Sequence, residues 1–310
     1  MKKNEVLGNI TLDETDIQSL KTIEDGFDTI ILENNTGEDV DGTELAEYFS
    51  RVRGIERVTT LRISRDSSLK DLMVVIGFPN LNYIFVRGFN IKSLDGLEYL
   101  TRILYLEIDT GKYRSRSIAN ISRAPISRME LVYARKEDFD AIASSRTINI
   151  LELAFCPHPP FNKWGKVPFE KLKISGGRFT EFGDTAYVEK LYDIFLIDCR
   201  KLERFVGDNS RITRMLIVSC NRLDVNTIKA FSNLELLTIN NRPNYELPLS
   251  AFSGLKKLKE LELLRCKVKL DIMDLKEVLP SLEKIYIGGL KKEQINELLR
   301  RNPGLRFEFN

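Results

Sequence analysis

Glu107, Glu130 and Glu152 recur at nearly equal intervals, and carboxylates gathered by such spacing can do two kinds of chemistry. A pair about 5 Å apart matches the geometry of a retaining glycosidase, whereas a row of them can receive a cationic partner. Other reactive side chains are sparse. His158 is the only histidine among 310 residues, so any Ser/His/Asp triad would need it as the base. It lies in Cys156-Pro157-His158-Pro159-Pro160, where three prolines point to a stiff exposed loop. Trp164, in the same loop, has two readings: an exposed binding anchor, or packing against the edge of the fold. No GxxxxGK[ST], HExxH, CxxC or GxGxxG pattern occurs, so nucleotide and metal chemistry have no motif behind them, and no cofactor is expected.

The elements that position these residues follow from an internal repeat. The segment Leu258-x-x-Leu261-x-Leu263-x-x-Cys266 puts apolar residues at −3, 0 and +2 of a register centred on Leu261, and a small residue at +5. The zero positions are Ile10, Ile30, Leu61, Ile84, Leu106, Met129, Leu151, Leu172, Ile194, Met215, Leu237, Leu261, Ile285 and Phe307. Their mean spacing is about 23 residues, within the range of short solenoid repeats. Every +2 partner, from Leu12 to Phe309, is apolar. On an extended segment, residues 0 and +2 share a face, so each copy predicts a short strand with its apolar side inward. Helical spacing between strands, over 43–52, 68–76, 137–143, 226–231 and 293–301, predicts an outer layer.

With Asn90-Ile91-x-x-Leu94-x-x-Leu97-x-x-Leu100 as its fullest copy, the chain resembles the leucine-rich-repeat superfamily, and most of all the short repeats of bacterial internalins. The resemblance implies an α/β solenoid, a curved horseshoe with a parallel concave sheet and short helices or 3-10 turns on the convex side. Recognition in that family is usually on the concave face. The chain departs from the family pattern at +5, where Asn occurs only as Asn35. A single domain over 1–310 is expected, with 1–26 as an N-terminal cap turn, 27–290 as repeats, and 291–310 as a closing helix and half-strand.

The repeat also assigns the cysteines. Cys156, Cys199, Cys220 and Cys266 all fall at +5, where a small buried side chain can meet the backbone of the adjacent repeat. Strands stacked about 4.8 Å apart cannot bring four such sulfurs to one zinc ion. Only Cys199 and Cys220, on successive copies, are near enough for a disulfide.

Residues at −1, +1 and +3 point away from the core. The +1 column contains Phe85, Glu107, Glu130, Glu152, Phe195 and Leu216, and neighbouring columns place Asp109, Tyr83, Tyr105, Tyr133 and Phe155 near the acids. Like charges about 5 Å apart repel by roughly 1–4 kcal/mol, so either the row serves a basic protein partner, or Arg87 and Arg128 neutralise it. Phe195, Ile197, Leu216, Val218, Leu236 and Leu264 form an apolar stretch of the kind that marks interaction sites. These residues, with Trp164, are the candidate partner-binding set.

Bulk charge adds little. Forty-seven Lys and Arg against 45 Asp and Glu leave a net charge of +2, which gives no general attraction to nucleic acid or membrane. The basic segment Lys112-Tyr113-Arg114-Ser115-Arg116-Ser117 can touch phosphate or form a solvated edge. No apolar run has signal-peptide or membrane-spanning length, so a cytoplasmic protein is expected. The expected function is non-catalytic protein binding on the concave face by a monomer or weak oligomer. A narrower form is an inhibitor or immunity-type protein neutralising a basic toxin or effector. An adaptor joining two proteins and an RNA-binding solenoid are the alternatives.

Overall fold

In the computed structural model residues 1–4, 7–15, 17–111 and 116–309 are described. The chain divides into two compact units, Met1–Glu152 and Leu153–Asn310. The first unit carries β1 (Lys2–Asn4), β2 (Asn9–Asp13), β3 (Thr29–Glu33), β4 (Thr60–Ile63), β5 (Tyr83–Val86), β6 (Ile103–Ile108) and β7 (Ile126–Val132). The division falls within β8 (Ile150–Ala154). The second unit has β9 (Lys171–Ser175), β10 (Glu181–Gly183), β11 (Asp193–Ile197), β12 (Arg204–Val206), β13 (Arg214–Val218) and β14 (Leu236–Asn240). It continues with β15 (Glu246–Pro248), β16 (Glu260–Leu264), β17 (Lys267–Lys269), β18 (Lys284–Ile287) and β19 (Arg306–Phe309).

In the first unit β2 to β7 pair in chain order, all parallel, and antiparallel β1 closes the edge at β2. The second unit pairs β9, β11, β13, β14, β16, β18 and β19 in parallel, while β10–β12 and β15–β17 form two small ladders on the outer side of the repeats. The register follows the repeat. Ile10, Ile30, Leu61, Ile84, Leu106 and Met129 stand opposite one another in turn. So do Leu172, Ile194, Met215, Leu237, Leu261, Ile285 and Phe307.

From Ile10 to Ile285 every zero and +2 side chain is at most 3% exposed. Burying each such aliphatic is worth roughly 1.5–3 kcal/mol, and the gain depends on the adjacent copy being in place. The outer layer mixes α-helix and 3-10 turns. Helix α1 (Gly42–Phe49) starts at Asp41, whose carboxylate accepts from Thr43 N at 2.7 Å. At α2 (Lys136–Ser144) the Asp138 carboxylate accepts from Arg135 N at 2.8 Å, which satisfies one donor that the helix itself cannot. A short α3 (Leu275–Val278) precedes β18, and α4 (Lys292–Arg301) leads into β19. The other predicted helical stretches tighten into 3-10 turns, Met73–Gly77 and Val225–Ala230.

Trp164 is fully buried. The loop expected to hold it in solvent instead closes a 3-10 turn over Phe161–Lys163. That turn drives the indole edge-on against Phe161 at 5.7 Å and Phe169 at 5.4 Å. The anchor reading is thereby corrected: Trp164 serves the core. His158 stays at the rim of the same cluster, with its ring edge-on to Phe161 and Phe179 at 5.6 Å.

Candidate functional site

The open face of the first unit gathers most of the candidate residues. Strand pairing sets Arg62, Phe85, Glu107 and Glu130 in one row across β4 to β7, and Tyr83, Tyr105 and Arg128 in the row beside it. Side chains then link the rows. Arg62 lies over the Phe85 ring at 4.7 Å, Phe85 meets Tyr105 at 5.5 Å, and Arg128 covers Tyr105 at 5.1 Å. Alternating guanidinium and aromatic groups of this kind gain from the negative ring faces.

The carboxylates sit within this frame, each with its own partner. Arg87 Nε donates to Glu107 Oε1 at 2.9 Å, and Arg128 Nε to Glu152 Oε1 at 2.6 Å. The Tyr105 hydroxyl donates to Glu130 Oε2 at 2.6 Å. Burial and that bond to an anion both push the Tyr105 pKa up, so the phenol stays protonated. The bond to Glu107 raises the Arg87 pKa further. Asp109 lies 4.0 Å from Arg65. Arginine thus pairs with Glu107 and Glu152, and a tyrosine with Glu130.

Depth separates the two charges. The side chains of Glu152, Glu107 and Asp109 are 5%, 12% and 19% exposed, against 46%, 52% and 67% for Arg128, Arg87 and Arg65. In these pairs the acid is the deeper partner and the guanidinium group the one that meets the solvent. An arginine has the reach to fold over a shorter carboxylate and keep its far edge wet, which column position alone cannot reveal. Tyr83 is exposed, whereas Tyr133 is half-buried at the end of β7.

The second unit holds Phe155, Phe195, Leu216 and Trp164. Phe195 and Leu216 are half-buried neighbours on β11 and β13, and Lys171 Nζ lies 3.9 Å from the Phe195 ring centre. With Leu236 they line a shallow depression of about 230 Å³, rimmed by Arg214, Glu260 and Glu262. Phe155 is exposed just beyond β8, its ring resting where a side chain on Gly176 would otherwise stand.

All four cysteines are free and buried. Cys199 Sγ donates to Ile174 O at 3.7 Å, Cys220 Sγ to Leu196 O at 3.7 Å, and Cys266 Sγ to Ile239 O at 3.8 Å, each reaching the preceding copy. Burial pushes the Cys156 thiol up to about 12 and Cys266 up to about 11, so neither is a nucleophile at neutral pH. Among the described residues no cluster of His, Cys, Asp and Glu is arranged to hold a metal.

Part of the basic segment, 112–115, lies outside the described residues. Arg116 is not a solvated cation: its side chain is buried against Asp138 at 3.2 Å and donates to Thr110 Oγ1 at 3.1 Å.

Among solved structures, an internalin from Listeria monocytogenes superposes with a TM-score of 0.50 at 15% identity, covering 95% of this chain and 88% of the internalin. The chain has the leucine-rich-repeat fold. A leucine-rich-repeat protein of Leptospira interrogans shares 14% identity, with a TM-score of 0.35 and 94% of each chain covered. Drosophila Toll, solved in complex with Spätzle, shares 12% identity at a TM-score of 0.46, and the chain spans about half of it, 51%, with 97% of its own length covered. No protein-family model matches the sequence, and no curated protein does. In the described residues no helix of this leucine-rich-repeat chain is long and apolar enough to cross a membrane.

Proposed function

We propose that the protein is a non-catalytic binding module that receives another protein on the open sheet face of its first unit. One observation carries this reading: exposed Arg62 and Arg128 and half-buried Phe85 and Tyr105 make contact in series across two adjoining rows, on strands whose other face is fully packed. Arginine and aromatic side chains supply most of the energy of protein interfaces, and a packed sheet holds them at little cost in ordering. An enzymatic reading has less support, since Glu107, Glu130 and Glu152 are each bound to an arginine or a tyrosine and none is left to act as a general acid.

The narrower form is an inhibitor or immunity-type protein working in the cytoplasm. Four buried free thiols suit a reducing compartment. The test is to place a photo-crosslinking residue at Tyr83, on the open face, or at Tyr99, exposed on the outer layer, in the full chain within its native extract. A discrete protein adduct from position 83 and none from position 99 is expected. Equal adducts from both positions, or none from either, would reject the reading.

A further inference from the structure

The layering of charge on the first unit also bears on the chemistry of the partner. Arg87 and Arg128 each spend their Nε on a carboxylate beneath, which fixes the plane of the guanidinium and leaves its outer edge in solvent. Arg62 is exposed, with its cation held flat on Phe85. Arg62, Arg65, Arg87 and Arg128 are thus exposed on this face, Arg62 over Phe85 and Arg128 over Tyr105, while the carboxylates paired with Arg65, Arg87 and Arg128 are the deeper members of their pairs. A guanidinium with a fixed plane and a free edge is a ready donor for a second carboxylate.

Resting on the protein-binding reading above, we infer that this face takes an acidic protein segment, whose Asp and Glu side chains meet Arg62, Arg87 and Arg128 and whose apolar residues meet Phe85 and Tyr105. Two observations favour a protein over a nucleic acid. Phe85 is contacted by Arg62 and by Tyr105, and Tyr105 is covered by Arg128, so the ring face under each arginine is closed to a stacking base, whereas an aliphatic side chain needs only a ring edge. The carboxylates below also cancel the arginine charge at a distance, which weakens the pull on a phosphate chain but leaves short-range contacts intact.

The probes are a labelled peptide of alternating Glu and Leu, the same peptide with Lys for every Glu, and an oligouridylate of equal charge, each titrated into the full chain by fluorescence anisotropy. Binding of the Glu peptide is expected, weakened about tenfold or more by Arg62→Glu and unchanged by Lys190→Glu on the exposed edge of the second unit. Among the described residues no ion pair joins Arg62 to a carboxylate, so its replacement strands no charge there and leaves the fold in place; a second variant, Arg87→Gln, should give a similar loss. Preference for the Lys peptide, equal binding of the oligouridylate, or no binding of the Glu peptide would each overturn the inference. The crosslinking test stands apart from these: protein adducts at position 83 without affinity for acidic peptides would sink the partner chemistry alone, and absence of adducts would sink the function.

Discussion

The open faces of the two units solve one problem in different ways. Every strand must show solvent the side chains at −1, +1 and +3. In the first unit they are charged and aromatic, and opposite charges settle into two layers. In the second unit Phe195, Leu216 and Leu236 leave a shallow apolar depression with charge only at its rim. The same backbone repeat therefore supports a surface whose energy comes from pairing and another whose energy comes from withheld burial. The first is set by geometry and resists changes of partner, because misplacing one group strands a charge. The second is tolerant, because an apolar contact asks only for area.

The contrast extends into the cores, where the largest effects are expected. Asp138→Ala in the first unit strips the buried Arg116 of its counter-ion, and breaking a buried pair from one side costs about 3–5 kcal/mol. Trp164→Ala in the second unit empties a fully buried aromatic site, also about 3–5 kcal/mol. The double change Arg116→Met with Asp138→Leu separates them. Removing both charges should recover most of the loss, whereas no second substitution short of refilling the volume recovers Trp164→Ala. Chemical denaturation of the three variants measures this, and failure of the double variant to recover would mean that the ion pair holds the turn by hydrogen bonding rather than by charge balance.

The repeat was plain in the sequence because burial acts on two positions per copy, and nothing else tolerates a polar residue less. The strand register follows these positions residue for residue within each unit, from Ile10 to Met129 and from Leu172 to Ile285. Depth was not legible in the same way. Glu107 and Arg87 occupy outward columns alike, and only the reach of the longer side chain decides which one covers the other. Trp164 has two readings in the sequence for a related reason: prolines nearby argue for an exposed loop, but Phe161, Phe169, Phe179 and Phe182 close by supply the rings that draw an indole inward. That aromatic density was the available signal.

A third feature, absent from any apolar pattern, recurs in the turns that follow the strands. Tyr133 in the first unit and Phe155, Gly176, Asp198, Ser219, Arg265 and Gly289 in the second have positive φ at the +4 position, from 51° to 78°. The next copy holds several of these turns, as where Asp198 N donates to Val218 O at 2.8 Å and Ser219 N to Asn240 O at 2.9 Å. A left-handed non-glycine residue costs about 1–2 kcal/mol, and glycine returns part of that gain as unfolded-chain entropy. Ser219→Gly should therefore be neutral or stabilising by up to about 1 kcal/mol. In the first unit Thr110 occupies the same +4 position without positive φ, buried and accepting from Arg116. Thr110→Gly should destabilise by about 1–2 kcal/mol. Thermal melts of the pair test this by sign, and a shift in one direction for both would mean that the turns do not differ in strain.

The smallest effect concerns acid and salt, and it contrasts a residue near the start of the first unit with one near the end of the second. Hydrogen bonds from Thr15 and Asn35 lower the Asp13 pKa to about 2, and those from Arg300 and Arg301 lower that of Glu297 to about 2. A depressed carboxylate stabilises the fold above its ordinary pKa, and that contribution disappears as pH falls through the folded value. Both regions should therefore hold from neutral pH down to about 4 and loosen toward 2. Their partners differ: Asp13 is held by neutral donors and Glu297 by exposed cations. Salt screens the second kind and leaves the first nearly untouched. NMR titration of the two carboxyl groups at low and high ionic strength should raise the midpoint of Glu297 alone. Equal movement of both would show that long-range charge, rather than the local bonds, sets the pKa at each site.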